Sequence, residues 1–412
     1  MLHIMTLGNA YEEAMLLAEN YQGLAETMGI AYKDAFAYAD NKIDRFLCAI
    51  NLFGARREST VVNVKDIAFE AMPVTPLDLQ GRFLLDFDSD AHLAMEDSQA
   101  NQTRLIVLID GVSYPLRDTA FPSICERIGI SGFALERIPR ELLAEHMNAY
   151  VKTSLSQGKV IHNNGKIEVV LGPKYPLLPA ENIMQAAAEF FASYDGGTDV
   201  NFKGGSFSHT RSDAAWRIGH VNVHTPINTG FNKTLFEQSV RISTSDSGLK
   251  AITIAPEMRE VGDERFGLSY CLPIQLEHKG KLDIEIFKEQ LSLIGRNFDS
   301  SMKKIQELTD TNLVYPANVL LALLKWLKVP AKYGTEVYER RKEMWGSDEQ
   351  SAYTVYGSLS EILAYVYQDE PKMRAVAECQ ERFARGLGFD FIKYDLPGTY
   401  SFTDKLIGIK AA

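Results

Sequence analysis

The residues best suited to chemistry lie between Gly196 and Arg211, where Gly196-Gly197 and Gly204-Gly205 flank Phe202 and Lys203, and Phe207, His209 and Arg211 follow. The rings of Phe202, Phe207 and His209 could stack on bases, and Lys203 and Arg211 could hold phosphates. Single-strand binders combine these two elements because every base offers a face to stack on. The competing reading is a surface hairpin whose phenylalanines pack on the neighbouring sheet. On the first reading these five residues form a nucleic-acid-binding set.

Other constellations fail on geometry. His220-Val221-Asn222-Val223-His224 would offer two metal ligands on one face of a helix. The β-branched valines at alternate positions make it a strand, where the imidazoles stand about 13 Å apart at roughly 3.3 Å per residue. Ligand bonds near 2 Å cannot bridge that gap. Asp86, Asp88, Asp90 and Asp97 imitate a calcium loop, but Ala91 takes the position that needs glycine and Asp97 replaces the bidentate glutamate. The sequence contains no GxxxxGK[ST], no GxGxxG after a strand, no GxSxG and no HExxH. Catalytic residues, a metal and a cofactor are therefore not expected. Arg340-Arg341-Lys342, Lys325, Lys328, Lys332 and Lys303-Lys304 fall on helical stretches and read as solvated faces. Tyr353, Tyr356, Tyr365 and Tyr367 read as helix packing.

The elements that must carry these residues follow from spacing. Residues 9–52 hold strong helix formers and apolar residues at helical intervals. Val61 to Val64, Arg82 to Leu85 and Arg104 to Ile109 read as strands, the last running into a tight turn at Asp110-Gly111. Residues 117–155 return to helix, with Pro122 and Pro139 near helix starts. Lys159 to Leu171 is a hairpin whose Asn164-Gly165 supplies the positive φ angles of a tight turn. Pro179 to Tyr194 is a helix, residues 196–212 a Gly-rich loop, and Trp216 to Leu276 a run of strands. From Ile284 to Leu308, apolar residues recur every three or four positions, which predicts one long amphipathic helix. Four more helices are expected, at Pro316–Leu327, Thr335–Trp345, Ser351–Tyr367 and Pro371–Leu387. The fold class is α+β. The expected units are an acidic helix-plus-strand region over 1–100, a central α+β unit over 101–276 with the loop, and a helical region over 277–412.

Parts of the chain from Arg117 to Leu387 resemble the phage/plasmid-like proteins grouped as domain of unknown function 932. Ile128-Gly129-Ile130 is similar to the family's G-I-P segment, with Ser131 standing where proline is usual. His146-Met147-Asn148 resembles its helix ending near an asparagine, and Lys166 to Pro176 resembles its R-A-V-L-S-x-x-Y strand. Ile242-Ser243-Thr244-Ser245-Asp246-Ser247-Gly248 is similar to I-S-N-S-E-x-G, and Ala352 to Glu361 to W-x-L-Y-N-A-V-T-E. The C-T-N-G segment is missing, with Glu257-Met258-Arg259 in its neighbourhood. The resemblance implies a gene of phages, plasmids or integrative elements, and hence DNA metabolism or host takeover rather than small-molecule catalysis.

Composition sets the remaining bounds. At 412 residues the chain has room for two or three domains of about 150 residues. Its net charge of −11 is concentrated early, since residues 1–100 carry 7 Lys+Arg against 16 Asp+Glu. Overall acidity disfavours indiscriminate duplex binding, which works by neutralising phosphates. The four cysteines, Cys48, Cys125, Cys271 and Cys379, show no zinc spacing and read as reduced thiols. Met1 to Met5 lack the basic and apolar regions of a secretion signal, and no apolar run suffices to span a membrane. A cytoplasmic location, that of a bacterial host if the gene is phage- or plasmid-borne, is the expectation. Single-stranded nucleic acid, handled by binding or annealing as a homo-oligomer, is the first partner class. A non-enzymatic assembly or host-factor-binding role, with residues 1–100 meeting a basic partner, is the alternative.

Overall fold

The computed structural model describes residues 42–402, apart from residues 56, 72–104, 117–118, 131–134, 136–137, 164–165, 196–198, 208–210, 225–232, 262–267, 279–281, 370–372 and 399. The expected helical stretch before residue 42, the strand at Arg82 to Leu85, the acidic residues Asp86 to Asp97 and His209 lie outside the described residues.

The fold is α+β, with strands in the first two-thirds and helices toward the C-terminus. Helix α1 (Lys42–Gly54) buries Phe46 and Ile50, which lie four residues apart and so share a face. Strands β1 (Arg57–Asn63), β2 (Ala68–Ala71), β3 (Leu105–Ile109) and β4 (Val112–Pro115) follow. The β3–β4 turn has φ of 50° at Asp110 and 79° at Gly111, the two positive angles a two-residue hairpin needs. Helices α2 (Ala120–Ile128) and α3 (Arg140–Thr153) come next, then the hairpin β5 (Gln157–Asn163) and β6 (Lys166–Leu171). Its register pairs Asn163 with Lys166, as the expected turn requires.

These strands form two small sheets, ordered β1-β5-β6 and β2-β3-β4, joined by a parallel bridge between Leu116 and Ile167. With α2 and α3 they enclose the smaller core, built on Val64, Phe69, Val107, Phe121, Ile124, Met147 and Val170. Asn148 on α3 clips β2 in place, its amide donating to and accepting from the Phe69 backbone at 2.8 Å each way.

Helix α4 (Ala180–Ala192) leads into β7 (Asn201–Phe207), β8 (Ser212–His224), β9 (Lys233–Thr244), β10 (Ile252–Glu260) and β11 (Ile274–Leu276). These five form an antiparallel sheet ordered β11-β10-β9-β8-β7. The expected Gly-rich loop is thus largely the edge strand β7, interrupted by a bulge between Phe202 and Gly204. Its glycines admit a neighbour: a Cβ on Gly205 would sit 2.4 Å from the Phe46 ring.

The long helix expected from Ile284 to Leu308 is instead two helices, α5 (Ile284–Ser292) and α6 (Ile294–Asp310). The backbone tightens at the junction, where the Leu293 N–H bonds back three residues to Gln290. Both helices keep the same apolar phase, burying Phe287, Leu291, Ile294, Phe298, Ile305 and Leu308. The sequence spacing survives the break because Leu293 stays in the helical region at φ −85°. Asp283 caps α5, its carboxylate accepting from the Ile286 N–H at 3.0 Å. Asp283→Ala is expected to cost about 1 kcal/mol in denaturant unfolding.

The chain continues through a two-residue strand β12 (Asn312–Leu313), α7 (Pro316–Trp326), α8 (Ala331–Trp345) and β13 (Gln350–Ser351), which pairs with β12. Helices α9 (Ala352–Gly357), α10 (Leu359–Asp369) and α11 (Met373–Ala384) complete the helical part. These helices, the large sheet, α4 and α1 share the larger core. The tyrosine cluster divides: Tyr353 and Tyr356 are buried, and the Tyr356 hydroxyl donates to the Ser269 carbonyl at 2.7 Å. Tyr365 and Tyr367 lie nearer the surface. No helix among the described residues is long and apolar enough to cross a membrane.

Candidate charged site at the β9–β10 turn

Strand β9 ends in Ser243-Thr244, and Ser245-Asp246-Ser247-Gly248 then turn the chain toward β10. Gly248 takes φ of 72°, a left-handed angle that favours glycine. A turn so rich in hydroxyls would ordinarily lie in water. Here Thr244, Ser245, Asp246 and Ser247 are all buried. Buried polar groups need partners, and two charged clusters beside the turn supply them.

On one side Arg57 of β1 faces three carboxylates. Its guanidinium meets Glu181 of α4 and Asp246 at 2.8 Å each, and Glu168 of β6 at 3.8 Å. Asp246 also accepts from the Ala180 N–H at 2.9 Å, at the start of α4 where helix N–H groups point outward. Gly54 gives Glu181 its place, since a Cβ there would lie 2.5 Å from the carboxylate carbon. Burial pushes the Asp246 carboxyl up to about 7, against the Arg57 charge, with Glu181 and Glu168 adding to the rise.

On the other side Arg211 grips Asp213 with two bonds of 2.6 Å and donates to the Ser243 hydroxyl at 3.0 Å. Asp213 and Ser243 are cross-strand partners, and the Ser243 hydroxyl donates to the carboxylate at 2.5 Å. Burial alone would raise the Asp213 carboxyl. The Arg211 charge and hydrogen bonds outweigh it and hold the carboxyl below its ordinary value. Arg241 of β9 donates to Glu257 of β10 at 3.1 Å. Glu381 of α11 then gathers Lys250 at 2.8 Å, Arg241 at 3.6 Å and Arg211 at 3.7 Å. Burial, then the nearby Arg211 charge, lowers the Lys250 ammonium. A water-sized cleft opens beside this cluster, lined by Arg241, Glu257, Ser269, Cys271 and Glu381 among others. Burial pushes the Cys271 thiol up to about 12, and it accepts from the Ser301 hydroxyl at 2.8 Å, so it stays an unreactive thiol.

The candidate nucleic-acid residues take the following places in the fold. Phe207 is 2 % exposed, with its ring against Phe46 and Phe53 at 6.2 and 5.3 Å. Phe202 packs on Phe46 and Trp216, each at 5.4 Å. The Phe207 ring is internal, and the Phe202 ring is half-buried. Arg211 is committed to Asp213 inside the protein. Lys203 reaches the surface, where it meets Glu237 at 2.5 Å. Of the basic helix positions, Arg340 and Arg341 both bond to Glu361, and Lys332 meets Asp369 at 2.8 Å. His220 lies exposed on β8, as the strand reading required.

The residues that form the charged clusters, Arg57, Asp213, Arg241, Asp246, Glu257 and Glu381, did not stand out by spacing. The nearest signal was the run Ile242 to Gly248, whose hydroxyls and aspartate follow a β-branched strand without the usual break to solvent. No group of three His, Cys, Asp or Glu side chains among the described residues is arranged to hold a metal ion. No protein-family model, curated protein or solved structure matches the chain.

Proposed function

We propose that the protein is a non-enzymatic assembly protein, of the phage- or plasmid-borne kind its motifs resemble, that pairs with a second copy of itself. The observation that carries this reading is a pair of hydrogen-bonded segments on the helical part that bear exposed apolar side chains. Val314, Tyr315, Ile392 and Leu396 expose 38–71 % of their surface. Their two segments are clipped together: the Asp395 carboxylate accepts from the Val314 and Tyr315 N–H groups at 2.9 and 2.6 Å. The Asn318 amide donates to the Leu396 and Gly398 carbonyls at 2.8 and 3.0 Å.

Grouped apolar side chains on a fixed backbone mark interaction surfaces, because covering them removes apolar area from water at little ordering cost. Charge does not oppose a second copy as the occupant, since residues 271–412 carry 19 Lys+Arg against 20 Asp+Glu. A self-complementary patch closes into a two-fold dimer.

Light scattering on the eluting protein is expected to give a dimer mass at micromolar concentration. Ile392→Asp with Leu396→Asp should weaken association at least tenfold, about 1.4 kcal/mol, with the melting temperature nearly unchanged. A monomeric wild-type chain, or an equally dimeric variant, would overturn the proposal. A monomer that binds single-stranded DNA tightly at low salt would return the reading to nucleic-acid handling.

A further inference from the structure

We infer that α7 and α8 form a groove for an extended chain segment, filled at rest by the protein's own residues 396–402 and open to the same segment of a second copy. This deepens the self-pairing proposed above and rests on it only for the source of the incoming segment. The groove itself stands on separate contacts.

Helical periodicity builds the groove from two rows of side chains. Asn318 and Lys325 of α7 are seven residues apart, about two turns, and so lie on one face. Gly334 and Tyr338 of α8 are four apart and share another. Residues 396–402 lie across both rows. The Asn318 amide donates to the Leu396 and Gly398 carbonyls at 2.8 and 3.0 Å. The Tyr338 hydroxyl donates to the Tyr400 carbonyl at 2.6 Å, and the Lys325 ammonium to the Ser401 carbonyl at 3.4 Å. In each of these bonds the acceptor belongs to the main chain. Contacts of that kind hold an extended segment by its backbone, and side-chain pockets then select which one.

Here the pocket is a notch for one ring. A Cβ on Gly334 would stand 2.6 and 2.7 Å from two atoms of the Phe402 ring, and 3.5 Å from a Val329 methyl carbon. The missing side chain is the floor on which the ring rests. The Lys325 ammonium lies 5.9 Å from the centre of that ring, within reach of a cation–π contact. Glycine is a poor residue within a helix, so α8 gives up helix stability at the position where the ring needs room.

The segment is laid onto the helices rather than woven into the fold. Its described residues belong to no helix or strand. Pro397-Gly398 bends it, with Gly398 at φ of 131°, an angle that L side chains rarely adopt. A terminal segment attached in this way exchanges between copies at low cost, because the contacts made in trans are those made in cis. Ile392 and Leu396, the exposed apolar residues of the proposed interface, lie just before the bend. A pair formed through them holds both bends at its seam.

Two full-length variants separate groove from segment. Phe402→Ala leaves the notch open with no ring to fill it. Gly334→Ala fills the notch and frees the ring, and alanine keeps α8 helical. Either variant alone lacks one half of the exchange, while a mixture supplies one complete groove and one complete segment. Sedimentation velocity on the mixture is expected to show association about tenfold tighter, or more, than in either variant alone. Equal association in the mixture, the separate variants and wild type would refute the groove and leave a dimer on the Ile392 face standing. A tighter mixture beside a monomeric wild type would support the groove and refute self-pairing at rest. A labelled peptide of residues 394–402 gives the second readout. It should bind the Phe402→Ala chain about tenfold more tightly, or more, than the Gly334→Ala chain. Equal binding, or none to either, refutes the inference. Should Gly334→Ala not fold, the same peptide with alanine at position 402 replaces it, and equal binding of both peptides to the Phe402→Ala chain is the refuting result.

Discussion

Replacing Arg211 with alanine is expected to destabilise the protein by about 3–5 kcal/mol, the range found when one partner of a buried ion pair is removed. The side chain is 4 % exposed and donates twice to Asp213 and once to Ser243. Without it the Asp213 carboxylate stays inside, keeping one hydroxyl donor and losing its adjacent counter-charge. The Arg241 charge lessens the penalty but does not replace the two-pronged contact. Urea unfolding at neutral pH measures the loss. The double variant Arg211→Met with Asp213→Leu should recover much of it, because a buried pair exchanged for apolar groups of similar size is often close to neutral.

A pH profile separates this role from a phosphate-holding one. Asp213 is depressed in the folded state, so the stability it contributes is present above its unfolded value and disappears as pH falls through the folded one. Arg211→Ala should therefore be closer to wild type in acid than at neutral pH. An arginine waiting for phosphate would show a small stability change, about 0.5 kcal/mol or less, and no such profile.

Phe207→Ala is expected to cost a further about 3–5 kcal/mol by itself, the transfer loss of a buried ring plus the cavity it leaves. Phe46 and Phe53 flank that ring, and all three fill the space where α1 lies on β7. Gly205→Ala attacks the same contact from the other side. Its Cβ would stand 2.4, 2.6 and 2.8 Å from three Phe46 ring atoms, and overpacking of that kind costs about 1–3 kcal/mol. Calorimetry on the two variants checks both values. A Phe207→Ala protein of wild-type stability would mean that the ring is not internal, and would reopen base stacking at this strand.

Both results concern residues whose types and spacing also suit an exposed binding loop. Aromatic, glycine and basic residues together describe a stacking platform and an edge strand under a helix equally well. Which one forms depends on whether another segment arrives to cover the rings. That segment is α1, about 150 residues earlier in the chain, and its Phe46 and Ile50 carry no local mark of their destination.

Local order was legible wherever the physics is local. The turn at Asp110-Gly111 needs two positive φ angles and shows them. The hairpin between β5 and β6 keeps the register that Asn164-Gly165 demands. His220 to His224 alternates as a strand because β-branched residues at every second position fit a pleat. The apolar spacing from Ile284 to Leu308 marks the buried face, while the break at Leu293 leaves no mark in the sequence because it preserves that spacing. The α+β class and the helical C-terminal part followed from these periods.

The charged clusters were not legible, because sequence distance hides them. Arg57, Glu168, Glu181 and Asp246 come from four elements, and Arg211 of the β7–β8 connection finds Glu381 of α11. An arginine or glutamate in a sequence is by default a solvated residue. Only the packing of the sheets against α4 and α11 takes these side chains out of water and obliges them to pair. Sequence by itself determined the local elements, their apolar faces and the early concentration of acidity. The tertiary structure decided which polar residues are internal, since burial and pairing are properties of segments brought together rather than of any one of them.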